Sequence, residues 1–270
     1  MSNSPVAAPS HAAATAVTDA DLRLAHLLAD AAGAAIRPLF RTACAAESKA
    51  DASPVTQADR AAEQAIRALL ATHRPGDGVV GEEYGADRPD AARVWVIDPI
   101  DGTRAFISGR PIFGTLIALI EQGRPVLGVI DQPVTGERWI GAHGHPTLFN
   151  GQPARTRPCP TLDRALFATT APWLCSAFDR VRAASGDTVL GGDCYNYGLV
   201  ASGHVDLVVE DGLKLHDFAA LVPVIEGAGG RVTDWAGRPL DGASRGDVLA
   251  VGDAALLDQL VPLLEAVQPG

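Results

Sequence analysis

The sequence predicts a mixed α and β fold (α+β or α/β) in which an antiparallel meander sheet is followed by a smaller mixed or parallel sheet. Three observations predict it: two amphipathic helices come first, short apolar segments separated by turns follow, and strands alternate with helices after about residue 155. Because helices that alternate with strands usually cover a sheet, we expect an N-terminal subdomain at 18–155, a C-terminal subdomain at 156–270, and a cleft between them.

Both N-terminal helices are predicted to begin at a capping box. Thr18 is followed three residues later by Asp21, and Thr56 by Asp59, and apolar residues recur at helical spacing after each pair. Residues 1–17 are rich in Ala, Ser and Pro and contain no Lys, Arg or apolar run. They are therefore expected to form a disordered tail and not a secretory signal.

The central region carries the signals of buried strands and tight turns. Apolar runs at 79–80 and 94–97 come first, and the meander is expected to follow from about residue 112. Asn150-Gly151 is a strong hairpin dipeptide. The predicted meander strands are 113–120, 125–131 and 137–141.

Alternating elements define the C-terminal region. A helix predicted at 217–227 contains Pro223, which should kink it. The other helices are expected at 177–185, 195–202 and 254–267, and the strands at 165–169, 189–190, 205–209, 231–233 and 248–251.

The composition describes an acidic globular protein. The chain has 270 residues, 47% of them hydrophobic, and a formal charge of -10. This charge argues against nucleic-acid binding and against docking on anionic membranes, and no run of 18 apolar residues predicts a transmembrane helix. The four cysteines form no CxxC pair, so we expect reduced thiols and a cytoplasmic protein.

An acidic turn follows the apolar run at 94–97. In the segment Asp98-Pro-Ile-Asp-Gly-Thr103, Asp98 and Asp101 can converge, and the Ile100 carbonyl can face the same point. Ligands that are all oxygen favour Mg²⁺, Mn²⁺ or Ca²⁺ over zinc. An Asp-rich surface turn without a metal is the alternative interpretation.

Three further acidic positions lie at element ends. Glu82 follows the apolar pair at 79–80, Asp217 opens a predicted helix, and Asp59 is the third residue of a helix. Each has a simpler explanation, respectively a solvated loop, an N-cap and a capping box. Four such sites in an acidic chain of this size together favour a bound cation.

These motifs resemble those of the inositol monophosphatase family of Mg²⁺-dependent phosphatases. The resemblance covers about residues 20–265 and depends on Gly81-Glu82-Glu83, on the hexapeptide 98–103, and on Asp217 followed by Gly-Ala-Gly-Gly at 227–230. It implies a layered α-β-α-β-α sandwich, a small phosphate ester as substrate, and a homodimer. The family's usual Trp before the metal-binding Asp is His216 here.

The resemblance also implies a set of metal ligands. Glu82, Asp98 and the Ile100 carbonyl would hold one Mg²⁺. Asp98, Asp101 and Asp217 would hold a second, so that Asp98 bridges the two ions. Mn²⁺ is an alternative metal.

The same resemblance assigns catalytic roles to Thr103, Asp59 and Glu82. Thr103 and Asp59 would orient the attacking water, and a third, weaker ion would lie near Glu82 and Asp59. Two cations would clamp the attacking and leaving oxygens of an in-line displacement. The free N–H groups of Gly102 and Thr103, at the start of a short helix, would bind phosphate oxygens.

The segments at 191–198 and 205–210 are similar to those of the histidinol-phosphate phosphatase branch, which acts in histidine biosynthesis. Asp193 and Glu210 would then lie near the leaving alcohol, where their negative charges would attract the ammonium and imidazole of histidinol phosphate. A helix N-cap is the alternative for Asp193, and a surface acid is the alternative for Glu210. Because Glu210 could also accept a hydroxyl hydrogen bond from inositol, only Asp193 discriminates between substrates.

Two basic side chains complete the candidate substrate contacts. Arg104 would contact phosphate or pair with a surface acid, and His216 would contact substrate because it precedes Asp217. The alternative substrates are inositol 1-phosphate and other small sugar phosphates. A non-catalytic member that binds a protein partner is a third hypothesis, which the presence of every carboxylate and of Thr103 disfavours.

Overall fold

The computed structural model describes residues 17–42, 47–48 and 54–265. The predicted tail lies outside the described residues apart from Val17. The helices are α1 Asp19–Ile36, α2 Gln57–His73, α3 Thr103–Ile107, α4 Phe178–Ala184, α5 Tyr195–Ala201, α6 Leu215–Phe218, α7 Leu221–Gly227 and α8 Leu257–Glu265, with 3₁₀ turns at Arg37–Leu39, Leu162–Arg164, Pro172–Leu174 and Ala254–Leu256. The strands are β1 Glu47–Ser48, β2 Pro54–Val55, β3 Gly78–Gly81, β4 Gly85–Asp87, β5 Arg93–Asp101, β6 Gly114–Glu121, β7 Arg124–Gln132, β8 Glu137–Ala142, β9 His145–Phe149, β10 Gln152–Pro153, β11 Leu166–Thr169, β12 Asp187–Leu190, β13 Leu207–Glu210, β14 Arg231–Thr233 and β15 Val248–Val251.

The larger sheet contains the meander. Its strand order is β10-β9-β8-β7-β6-β5-β3-β4, and every neighbouring pair is antiparallel except β3 with β5. Asn150 and Gly151 form the turn between β9 and β10, with φ of 46° and 79°. Residues with positive φ at both turn positions suit the twist of a hairpin, as the dipeptide predicted.

The smaller sheet is mixed. Its order is β12-β11-β13-β15-β14, in which β11 is parallel to β12 and β13 while β15 is antiparallel to β13 and β14. β1 and β2 form a separate antiparallel pair. The sequence prediction of a meander followed by a mixed or parallel sheet is confirmed.

Five layers alternate through the fold. Helices α1 and α2 cover one face of the larger sheet, α5 and α7 lie between the two sheets, and α4 and α8 cover the outer face of the smaller sheet. This is the α-β-α-β-α sandwich that the resemblance implied. None of the described helices is long and apolar enough to cross a membrane.

The position of β5 explains why apolar and polar residues do not alternate in the run at 94–97. Val94 and Val96 belong to the core between the sheets, whereas Trp95 and Ile97 belong to the core under α1 and α2. Because helices cover both faces of the strand, both faces are apolar.

The helix predicted at 217–227 is instead two helices. Asp217 is the third residue of α6 and not the residue that begins a helix. Ala219 and Ala220 interrupt the helix between α6 and α7. Pro223 is the third residue of α7, where its missing N–H has no partner to lose. The helix predicted at 254–267 begins as a 3₁₀ turn and becomes α8 at Leu257.

Helix α7 approaches the larger sheet closely because two paired glycines face it. Gly128 of β7 is opposite Gly141 of β8. A Cβ atom would lie 2.0 Å from the Ala220 carbonyl oxygen at the first position and 2.2 Å from the Pro223 carbonyl oxygen at the second. Backbone atoms cannot give way as a flexible side chain can, so only glycine fits here.

We therefore expect Gly128→Ala to lower the free energy of unfolding by about 2–3 kcal/mol, because overpacking forces α7 away from the sheet. Urea unfolding of both proteins measures the difference. Gly76→Ala is the matched control, since a Cβ there meets nothing within 4 Å. Equal destabilisation by the two changes would contradict this explanation of the packing.

Candidate active site

The carboxylates at 98 and 101 converge because β5 is irregular at this point. Asp98 is opposite Leu116 and Asp101 is opposite Gly114, so three residue steps on β5 match two on β6. In a regular strand, residues three apart would point to opposite faces, and the extra residue removes that constraint. The turn expected directly after the apolar run at 94–97 is not observed there, because β5 continues through Asp101.

The predicted ligands meet in two overlapping groups. Carboxylate oxygens of Asp98, Asp101 and Asp217 lie within 4.8 Å of one another, and so do ligand atoms of Glu82, Asp98 and His216. Asp98 belongs to both groups, which is the geometry that a bridging ligand requires. The imidazole was expected to contact substrate, and its position as a candidate metal donor was missed from the sequence.

Burial and mutual repulsion raise the free energy of the ionised form of this carboxylate cluster. Burial first, and then the charges of Glu82, Asp101 and Asp217, raise the pKa of Asp98 well above its usual range. Burial together with the charges of Asp193 and Asp217 likewise raises the pKa of Asp101. Burial raises the pKa of Asp217, against the opposing charge of His216. A divalent cation would relieve this repulsion, so the donor set fits a hard metal ion.

The backbone around the cluster is held in place. The Asp98 carboxylate accepts a hydrogen bond from the Ile100 N–H at 3.1 Å, and the Asp101 carboxylate accepts one from the Cys194 N–H at 2.6 Å. Asp217 accepts from the Lys214 N–H at 2.7 Å. These contacts orient the carboxylates before any ion binds, which is how supporting hydrogen bonds tune a metal site.

Thr103 and Asp59 meet beside the cluster. The Thr103 hydroxyl is 3.5 Å from a carboxylate oxygen of Asp59 and 3.1 Å from the Ile100 carbonyl oxygen. The other carboxylate oxygen of Asp59 accepts from the Thr56 N–H and hydroxyl, at 2.8 and 2.6 Å. Asp59 thus serves in the capping box and also faces the candidate site. Burial raises its pKa, although the hydrogen bonds from Thr56 oppose the shift.

Asp193 packs directly against Gly102. A Cβ at Gly102, whose φ is +85°, would lie 2.8 Å from a carboxylate oxygen of Asp193. The N-cap interpretation of Asp193 is not supported, because α5 begins after Cys194 and has no side-chain cap. Burial and the charge of Glu210 raise the pKa of Asp193 to about 6, although Arg110 and Arg104 oppose the shift.

Glu210 ends β13 and is held by two donors. The Thr170 N–H donates to one carboxylate oxygen at 2.8 Å, and the Tyr197 hydroxyl donates to the other at 2.9 Å. Burial raises the pKa of Glu210. The surface-acid interpretation does not hold, since Glu210 is 7% exposed. Its two partners could not be identified from the sequence.

A cavity of about 220 Å³ joins these groups and is lined by Asp101, Asp193, Glu210, Asp217 and Tyr197, among others. A wider cleft of about 770 Å³ opens beside it. Arg104, Arg110 and Trp173 line this cleft together with Glu82 and Thr103. Trp173 is 82% exposed, and no signal in the sequence distinguished it from a core residue. The candidate site residues therefore all lie in or beside one depression, which is lined by residues from both sheets.

Comparison with known proteins gives consistent matches over most of the chain. A model of the inositol monophosphatase family matches residues 18–268. Among curated proteins, the bifunctional phosphatase IMPL2 of Arabidopsis thaliana is 48% identical over 252 residues, which is 88% of this chain and 73% of that protein. The histidinol-phosphatase of Streptomyces coelicolor is 39% identical over 261 residues, 90% of this chain and 96% of that protein.

The fold has a solved counterpart. The structure of an inositol monophosphatase from Zymomonas mobilis is 58% identical, covers 91% of this chain and 97% of its own, and superposes with a TM-score of 0.84. The similarity in sequence and in structure thus extends over nearly the whole length of both proteins.

Proposed function

The chain belongs to the inositol monophosphatase family of metal-dependent phosphatases, which act on small phosphate esters, and we propose that its substrate is L-histidinol phosphate and its metal ion Mg²⁺. The observation that supports this choice of substrate is the anionic cavity around Asp193 and Glu210, next to the carboxylate cluster. Histidinol phosphate carries an ammonium and an imidazole on the alcohol side of its phosphate, and inositol phosphate carries only hydroxyls.

The proposed ligands include the carboxylates whose oxygens converge. Glu82 and Asp98 would hold one ion together with the Ile100 carbonyl, as the family resemblance implies, and Asp98, Asp101 and Asp217 would hold a second. A third, weaker ion would lie near Glu82 and Asp59. Bound Mg²⁺ would lower the pKa of water and neutralise the charge that develops on the phosphoryl and leaving oxygens.

The chain's own groups would orient the reactants. The Thr103 hydroxyl can donate its proton to Asp59 or to the Ile100 carbonyl, which leaves its lone pairs to accept a hydrogen bond from the attacking water. The N–H groups of Gly102, the N-cap of α3, and of Thr103, its first residue, can donate to phosphate oxygens. Arg104, at the cleft, is placed to attract the phosphate dianion.

The alcohol side would lie against Asp193 and Glu210. Because Thr170 and Tyr197 fix the Glu210 carboxylate, it offers a defined acceptor for either an ammonium or a hydroxyl group. Asp193 packs against Gly102 and is close enough to Glu210 for their charges to interact, so we place it where the phosphate of the substrate would join the alcohol. His216, whose imidazole lies with Glu82 and Asp98, would contact the substrate beside the carboxylate cluster or serve as a metal donor.

Phosphate release from L-histidinol phosphate tests the proposal. We expect turnover with Mg²⁺ and none after chelation, restored when Mg²⁺ is added back. A folded protein that releases no phosphate under these conditions would contradict the proposed substrate.

Inositol 1-phosphate is the second candidate. It is favoured by the identity to the Zymomonas mobilis inositol monophosphatase and by the ability of Glu210 to accept a hydroxyl hydrogen bond.

We also propose a homodimer, as the family resemblance implies, and light scattering coupled to size-exclusion chromatography tests this.

A further inference from the structure

One face of α2 carries three polar residues in line. Asp59, Glu63 and Arg67 are spaced by four, so they succeed one another along the same side of the helix. Asp59 reaches Thr103, as described above. Glu63 is fully buried, with 0% exposure, although no proposed catalytic step uses it.

The Glu63 carboxylate binds the turn that follows β3. One oxygen accepts from the Glu83 N–H at 2.8 Å, and the other accepts from the Tyr84 N–H at 3.2 Å. Arg67 donates to the second oxygen at 2.7 Å through Nε and also contacts the Gly85 carbonyl. Both Glu63 oxygens are thus engaged, and the side chain spans from the helix to the turn between β3 and β4.

Close packing fixes the other side of this turn. A Cβ at Gly81 would lie 1.9 Å from a Glu63 oxygen, so the carboxylate occupies the space that any larger residue would need. The Glu82 N–H donates to the Ile97 carbonyl at 3.1 Å, which ties the turn to β5 one residue before Asp98. Glu82 is therefore held by β5 through its own N–H, while Glu63 holds the two N–H groups that follow it.

We propose that Glu63 is a positioning residue for the metal site: it holds the turn at residues 82–84 so that the Glu82 carboxylate faces Asp98. The inference rests on the metal role proposed for Glu82. It makes α2 a shared support, since one helix face orients Thr103 through Asp59 and Glu82 through Glu63. Supporting contacts of this kind usually change metal affinity by 10- to 100-fold when they are lost.

Glu63→Gln tests the inference because it keeps the shape and replaces one acceptor oxygen by a donor NH₂ group. That group must face an N–H of the turn or the Arg67 guanidinium, and both are donors. We expect the Mg²⁺ dissociation constant, measured by titration calorimetry without substrate, to rise 10- to 100-fold. At saturating Mg²⁺, kcat should remain within about threefold of wild type, because the variant changes occupancy and not the bound geometry.

Glu265→Gln, at an exposed position of α8, is the matched control and should leave both values unchanged. Unchanged Mg²⁺ affinity in folded Glu63→Gln protein would overturn the positioning role of Glu63 and leave the proposed metal site standing. Wild-type protein that binds no Mg²⁺ would instead contradict the proposed function.

Hydrogen exchange of the wild-type protein gives a test that needs no variant. Without metal, the Glu83 and Tyr84 amides should exchange slowly, because the buried Glu63 carboxylate binds them. Exchange at the rate of an open loop would overturn the inference even if Glu63→Gln does not fold.

Discussion

Asp98→Asn is expected to lower kcat/KM by about 10³-fold or more, which corresponds to about 4 kcal/mol of transition-state stabilisation. Asp98 belongs to both groups of converging ligands, so its loss weakens both proposed metal positions at once. Steady-state phosphate release at several Mg²⁺ concentrations measures the effect. Asp90→Asn, which removes the same charge from an exposed position outside the cleft, should retain wild-type activity.

The same variant should be more stable than wild type when no metal is bound. The folded state raises the pKa of Asp98 above its unfolded value, so the ionised carboxylate destabilises the fold once the pH rises through the folded pKa. Metal-free wild type should therefore gain stability as the pH falls from neutrality towards about 4, and Asp98→Asn should gain less. Thermal unfolding with chelator checks this, and near wild-type turnover by the variant would contradict the metal assignment.

Asp193→Asn is expected to change substrate preference. Loss of one charged contact should lower kcat/KM for histidinol phosphate by about 30-fold, or about 2 kcal/mol, and change the value for inositol 1-phosphate by less than about threefold. Glu210→Gln is the comparison, because that acid can serve either ester and its loss should affect both. Equal effects of Asp193→Asn on the two esters would show that this residue does not select the alcohol.

The preference should also depend on pH. Burial and the Glu210 charge raise the pKa of Asp193 to about 6, so this carboxylate takes up a proton as the pH falls below that value. A neutral carboxyl attracts a cation less, and we therefore expect the ratio of the two kcat/KM values to fall between pH 7 and pH 5. In the Asp193→Asn variant this part of the dependence should disappear.

Much of the fold could be predicted because local patterns agreed with it. The capping boxes at Thr18 and Thr56 are present in the structure, and the hairpin turn at Asn150-Gly151 lies where the dipeptide placed it. The break between α6 and α7 was missed because apolar periodicity continues across Ala219 and Ala220, and Pro223 was the only local sign of it.

The site was predictable in its residue types but not in its geometry. Asp98 and Asp101 were expected to meet across a turn, and they meet instead through an irregular pairing that depends on β6. Glu63 resembles an ordinary polar position of an amphipathic helix, because the two backbone N–H groups that it binds lie 20 and 21 residues further along the chain. Contacts of that kind depend on tertiary packing, which no single local pattern records.

The most direct test of the central claim compares kcat/KM of the wild-type protein for L-histidinol phosphate and for inositol 1-phosphate at the same Mg²⁺ concentration. The anionic cavity predicts a value at least about 100-fold higher for histidinol phosphate, which is about 2.7 kcal/mol of discrimination in the transition state. Equal or reversed values would contradict the claim that Asp193, in the cavity that it shares with Glu210, selects a cationic alcohol.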